Sequence, residues 1–330
     1  MTINVTKYQN GLIIHPGLSS EIGTNIQGPS LIRTPDWLPN SLGKYYLYFA
    51  DHKGDHIKMA YSDELLGEWK IHSGGTLQLS QSRFLTKSPE MPTDFNPKKV
   101  SVGELDGYNP HPNQSEYIPT RLDDMMIPHI ASPDVHIDET KQQIVMFYHG
   151  LEKFGTQSTR VATSHDGINF NSENKIIGRP YFRKFIYRNT SYGMSMPGVF
   201  YKNTGKIDDY IKVTSLFSHK IRHSSLLVRN DTLYVFYSQV GDTPERIYLS
   251  TIHLSDNIKN WKESDPIELI RPTLDWEGVD LPLQHSSRSA ISIPVNQLRD
   301  PAVFRDSADI YLLYTVQGER GIGISHIELS

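Results

Sequence analysis

The chain of 330 residues contains no cysteine. That absence excludes disulfide bonds, thiolate metal sites and a cysteine nucleophile, and it fits a reducing or an oxidising compartment equally well. Nor is one sign of charge in large excess: 33 Lys and Arg against 37 Asp and Glu leave a formal net charge of -4. A chain without a basic field lacks the attraction on which nucleic-acid binding draws, so DNA and RNA are not expected partners. Long apolar runs are missing as well. No stretch approaches the roughly 20 residues that a membrane span requires. The opening MTINVTKYQNGLIIHPGLS has neither the basic nor the apolar region of a secretory signal. The expectation is a cytoplasmic protein with no membrane partner, periplasmic or secreted only if a leader preceded this sequence. The sequence assigns no oligomeric state.

What fills the chain instead is a repeat. GPSLIR leads to KYYLYFADHKG and HIKMAYS; SPDVHID leads to QQIVMFYHG and TRVATS. HSSLLVR leads to DTLYVFYSQVG and RIYLSTI; RDPAVFR leads to DIYLLYTVQG and GIGISHI. A weaker copy, FRKFIYR, SYGMSM and GVFYKN, lies between residues 182 and 203. Each unit holds β-branched and aromatic runs of strand length between Gly, Asp and Asn turn signals, and so reads as three strands. TLQLS, NKIIGRP, IKVTSLF and PIELIRP are the predicted fourth strands of the first four units. The last unit has none after it, and the N-terminal GLIIHP, residues 11–16, has the matching pattern. The predicted fold is all-β: a single five-bladed β-propeller over residues 1–330, its last blade closed by an N-terminal strand so that the seam has no open edge. The blades fall at 26–80, 129–179, 180–220, 221–272, and 296–330 plus 11–16. A sandwich or barrel also uses many short strands, but neither accounts for repetition of a whole three-strand unit.

In an antiparallel blade the end of the second strand lies beside the start of the first, so both reach the same face of the ring. First strands bring Gly28, Ser132, Asp134, Arg222, His223, Arg299 and Asp300 to that face. Second strands bring Asp51, His52, Asp55, His149, Asp242, Glu245, Glu319 and Arg320. Two long inserts, 79–128 and 273–298, join the same face, with Tyr108, Tyr117 and Trp276 as aromatics suited to stacking on a sugar.

This blade grammar resembles, over nearly the whole chain, the five-bladed glycoside hydrolases of families 43, 62, 32, 68, 117 and 130. SPDVHID, QQIVMFYHG and TRVATSHDGINF are similar to the second blade of family 43, with its Ala-Pro-Asp-Val type strand, Tyr-rich strand and Ser-x-Asp-Gly turn. RDPAVF is similar to the Arg-Asp-Pro strand of the sucrose- and fructan-cleaving families, whose Asp stabilises the transition state; the resemblance implies that role for Asp300. Where family 43 places its general base, in a first-blade Asp-Pro-Ser strand, this chain has Gly28. No Glu-Gly-Pro or Glu-Cys element marks the usual general acid. The resemblance therefore implies a divergent member with its acid and base moved to other blades.

Cleavage of a glycosidic bond needs an acid at the leaving oxygen and a carboxylate or activated water across the anomeric carbon. Asp300 and Asp134 are the candidates for base, nucleophile or transition-state carboxylate, and Glu245 for the acid, with His223 or His149 as alternative proton donors. Asp51, His52, His149, Arg222, His223, Arg299, Glu319 and Trp276 are expected to bind the substrate. Axial histidines suit a metal ion, but without a close spacing such as His-Glu-x-x-His no metal or cofactor is required. The expected function is a glycosidase acting on an oligosaccharide. The alternatives are a phosphorylase, with Arg222, Arg299, Arg320 and Arg246 for phosphate, and a catalytically silent propeller that binds a glycan or a protein.

Overall fold

The computed structural model describes residues 3–95 and 121–329. Its strands form five antiparallel sheets of four. Blade I is β2 (Gln27–Arg33), β3 (Tyr45–Ala50), β4 (Lys58–Ser62) and β5 (Lys70–Ile71); blade II is β6 (Ile130–Asp138), β7 (Gln143–Lys153), β8 (Thr156–Ser164) and β9 (Asn171–Ser172). Blade III is β10 (Arg183–Tyr187), β11 (Thr190–Ser195), β12 (Val199–Asn203) and β13 (Tyr210–Ser215), and blade IV is β14 (Ile221–Arg229), β15 (Thr232–Gln239), β16 (Ile247–His253) and β17 (Ile267–Ile270). Blade V is β18 (Arg299–Asp306), β19 (Asp309–Val316) and β20 (Gly321–Leu329), with β1 (Ile3–Ile14) as its outermost strand. Among the described residues no helix is long and apolar enough to cross a membrane.

Side-chain alternation explains why the second strands are apolar throughout. In YYLYFA, Tyr45, Leu47 and Phe49 pack toward blade V against Ala302, Leu313 and Ile324, while Tyr46, Tyr48 and Ala50 pack toward blade II against Val135, Ile144 and Met146. A strand covered on both faces has no solvent side on which to place polar residues.

The N-terminal strand closes the ring as expected, and it starts earlier than residue 11. Ile3 lies opposite Leu329 and Lys7 opposite Ser325; after an irregularity, Leu12 lies opposite Gly323 and Ile14 opposite Ile322. A buried clamp fixes it. Lys7 donates to Glu277 (2.7 Å), to Thr273 Oγ1 (2.9 Å) and to the Arg271 carbonyl (2.6 Å), and Glu277 also accepts from the Tyr314 hydroxyl (2.8 Å). Burial lowers the Lys7 pKa despite the Glu277 carboxylate beside it. Removing one partner of such a pair strands the other, so Glu277→Ala is expected to cost about 3–5 kcal/mol in a urea melt. An unchanged midpoint would show that the backbone ladder alone holds the seam.

The predicted fourth strands of blades I and II are displaced. The paired segments are β5 and β9, whereas TLQLS and NKIIGRP continue each edge only through the bridges His56–Gln78 and Thr159–Gly178. Leu77 and Ile177 are nonetheless buried, as their apolar character requires. Between the two pieces of the blade I edge lies Gly75 at φ +66°, where a Cβ would sit 2.5 Å from the Ile57 carbonyl oxygen. Only glycine takes that path.

Candidate active site

One local device repeats at the mouth of the ring. In four blades the pairing of first and second strands gains an extra residue: between Gln27 and Ser30, Ala131 and Asp134, Ile221 and Ser224, and Arg299 and Ala302. Residues within the bulges have positive φ, namely Gly28 (63°), Ser132 (51°) and Asp300 (45°), and Tyr181 (59°) precedes the first strand of blade III in the same conformation. A bulge re-aims its side chain, here toward the axis. At Gly28 a Cβ would lie 2.8 Å from Ser132 Cα. That crowding explains why no carboxylate stands at this point.

At Asp300 the bulge sets a buried carboxylate against a buried imidazole. Asp300 Oδ1 contacts His223 Nδ1. Its Oδ2 accepts from Gly28 N and from Thr315 Oγ1, both at 3.4 Å. Burial pulls the His223 imidazole down to about 4, against the opposing influence of Asp300. Burial pushes Asp300 up, but His223 outweighs it and the carboxyl lies below its ordinary value. The pair is therefore an ionised carboxylate beside a neutral imidazole, with the ring proton on Nδ1 and Nε2 left as a base.

Behind this pair runs a chain of ion pairs. Glu245 Oε2 accepts from Arg222 Nη1 (2.9 Å) and Ser286 Oγ (2.7 Å), and Arg299 Nε lies 3.0 Å away. Arg299 Nη1 reaches Glu319 Oε1 (2.8 Å), which also lies 3.4 Å from His52 Nδ1, while Asn25 donates to Glu319 Oε2 (2.7 Å). Burial would raise the Glu319 pKa; His52, Arg299 and Asn25 overcome it and hold the carboxyl well below its usual range.

The cluster opens into a narrow pocket. His52, Arg222 and His223 line it from blades I and IV, Tyr181 and Met196 from blade III, and Gln157 from β8. The Tyr181 ring lies between the rings of His149 (4.5 Å) and His223 (4.3 Å). Asp124, in the short helix α1 (Leu122–Met126) of the first insert, and Arg288 and Ser289 of the second complete the wall. Lys53 forms an ion pair with Asp124, and burial lowers its pKa to about 8.

Of the expected site residues, His52, Arg222 and His223 line the pocket, while Asp300, Glu245, Arg299, Glu319 and His149 stand behind its wall. Three others have different surroundings. Asp134 Oδ2 accepts from Lys184 N and from His136 Nε2, both at 2.7 Å. Ser30 accepts from Val135 N and Ser225 from Val303 N in the same way, both at 2.8 Å, so in blades I, II and IV this position straps the blade to the next. Trp276 stacks on Tyr314 (6.3 Å, 20° between planes) and covers Gly11 and Gly323 of the closing strands. Asp51 caps its own turn by accepting from Lys53 N (2.9 Å). Tyr108 and Tyr117 lie outside the described residues. Sequence reasoning passed over Asp124, Gln157, Tyr181, Met196, Arg288 and Ser289. Tyr181 alone carried a signal, since YFRKF aligns with GPSLI in the weak blade. Among the described residues no group of three or more His, Asp and Glu is placed to hold a metal ion.

The buried histidines give the fold a definite pH dependence. Burial takes His129 to about 3 and His149 well below its ordinary value, as it takes His223 to about 4. In the unfolded chain each titrates near 6.5. Between those values the unfolded chain binds more protons than the folded one, so stability rises with pH. Denaturant midpoints are expected to fall from pH 6.5 to pH 4. A flat profile there would show that these histidines take up protons in the native state.

No family model matches the chain. The uncharacterized protein R118 of Acanthamoeba polyphaga mimivirus is 32% identical over 325 residues, covering 90% of this chain and 82% of that protein. Among solved structures, an α-L-arabinofuranosidase from Lactobacillus brevis matches with TM-score 0.54 at 10% identity, over 95% of this chain and 94% of that one. An endo-1,4-β-xylanase from Bacteroides thetaiotaomicron matches with TM-score 0.52 at 15% identity, over 100% and 97%. An exo-β-1,3-galactanase from Phanerochaete chrysosporium, solved with β-1,3-galactotriose, matches with TM-score 0.54 at 9% identity; 99% of this chain covers 64% of it. At these identities the likeness establishes the fold, that of the five-bladed glycoside hydrolases.

Proposed function

The chain belongs to the same family as the mimivirus protein R118, and from that premise and the residues at its mouth we propose that it is an enzyme cleaving a glycosidic bond of an oligosaccharide at the axial pocket. The observation that carries this reading is the Asp300–His223 pair at the pocket wall. With Nδ1 directed at Asp300, His223 Nε2 takes a proton from water as the water oxygen bonds to the anomeric carbon. The glycosidic C–O bond breaks in the same event, and its oxygen takes a proton from the Lys53–Asp124 side of the pocket. A lysine near pH 8 is still protonated at neutrality and can supply it. This departs from the two-carboxylate scheme, because among the described residues Asp124 is the one acidic side chain that lines the pocket.

One observation favours a second reading. Asp124, Glu245 and Glu319 each have a cationic partner, as a glycan-binding propeller without activity would tolerate. A screen of aryl glycosides and of plant and algal oligosaccharides, with and without phosphate, separates the two. Release of free sugar supports hydrolysis, sugar phosphate supports phosphorolysis, and binding without turnover supports the silent propeller. Activity that persists undiminished in His223→Asn would remove the pair from the chemistry.

A further inference from the structure

We propose that the pocket wall made by Arg222, Arg288 and Ser289 is an oxyanion subsite, so that the ligand carries a carboxylate or phosphate group. This rests on reading the axial pocket as the ligand site. Two guanidinium groups line the pocket, and Asp124, the one carboxylate among the described lining residues, is paired with Lys53, whereas Glu245, Glu319 and Asp300 stand one layer behind. Coulomb interaction falls with distance, so a ligand in the pocket feels the cations first. The carboxylates fix the direction of those cations: Glu245 takes Arg222 Nη1 and accepts from Ser286 Oγ of the second insert. Arg288 is anchored by donating to Met196 Sδ (3.0 Å) and to the His219 carbonyl.

Ser289 supplies the independent sign of a ligand. It is 7% exposed and lines the pocket, and its hydroxyl has no hydrogen-bond partner. Its backbone has φ 83°, a conformation that a residue with a Cβ rarely adopts. Its carbonyl accepts from Arg222 Nη2 (3.4 Å) and Arg299 Nη1 (3.2 Å), which hold the strained turn in place. A buried hydroxyl without a partner and a strained backbone both cost stability. An acceptor oxygen placed beside that hydroxyl would give it the partner it lacks, and its negative charge would face two guanidinium groups of the kind that suit carboxylate and phosphate.

The test is equilibrium binding, measured by calorimetry on the full chain at low salt with three probes: glucuronate, glucose and inorganic phosphate. Glucuronate, phosphate or both are expected to bind at least about tenfold more tightly than glucose, with affinity falling as salt rises. Preference for glucuronate identifies an acid group on the sugar, and preference for phosphate identifies a phosphate ester or free phosphate; either outcome supports the subsite. Ser289→Gly removes the hydroxyl and suits φ 83°. It is expected to melt no lower than wild type, while oxyanion affinity falls by about five- to tenfold. Equal affinity for glucose and glucuronate without phosphate binding would overturn the proposal, as would unchanged oxyanion affinity in Ser289→Gly. Turnover of neutral glycosides without oxyanion binding would remove this subsite and leave the glycosidase reading standing. Oxyanion binding without cleavage of any glycoside would do the reverse.

Discussion

Asp300→Asn is expected to lower turnover by about 10²–10⁴-fold while the protein stays folded. The substitution keeps the shape of the side chain, and Asn is among the residues that best tolerate positive φ such as the 45° found here. The amide oxygen can still accept from Gly28 N and Thr315 Oγ1. What changes is the atom facing His223 Nδ1. An amide NH₂ there is a donor, so the imidazole must present Nδ1 as acceptor and carry its proton on Nε2, the nitrogen required as base. Geometry survives and the tautomer is wrong. Single-turnover rates on a glycoside cleaved by the wild type, measured beside a urea melt, separate this from unfolding. A folded Asp300→Asn protein with wild-type turnover would sink the assignment.

Glu245→Gln is expected to act on the fold instead, costing about 3–5 kcal/mol. Glu245 was expected from the sequence to be the proton donor. Its carboxylate is fully buried, and one oxygen gathers Arg222 of blade IV, Arg299 of blade V and Ser286 of the second insert. An amide cannot balance two guanidinium charges. The loss should appear as a lower denaturant midpoint, with activity per folded molecule reduced far less than in Asp300→Asn. Wild-type stability combined with abolished turnover would return Glu245 to the chemistry.

Asp134 and Asp300 show how far the repeat could be read. Aligned on their prolines, RDPA and ASPD place Asp300 opposite Ser132, and Asp134 opposite Ala302, Ser30 and Ser225. The two acids therefore hold different places in the blade. One occupies the bulge and turns to His223, while the other lies two residues on and accepts a backbone N–H of the next blade. The register was present in the letters, although the likeness of the motifs masked it. Arg288 and Ser289 had no such trace. They lie in a long insert without periodicity, and their places follow from contacts with residues far away in sequence, such as His219 and Arg222.

By itself, the sequence determined five blades, the face of the ring that gathers charge, and closure by the N-terminus. Those features follow from local rules: strands buried on both faces must be apolar along their whole length, and turn residues recur where the chain reverses. Only the tertiary structure decided which carboxylate meets imidazole, which meets arginine and which straps a blade. Charged side chains of one sign are interchangeable in a local pattern. Their partners are selected by distance and burial in three dimensions, where an unpaired charge is too costly to persist.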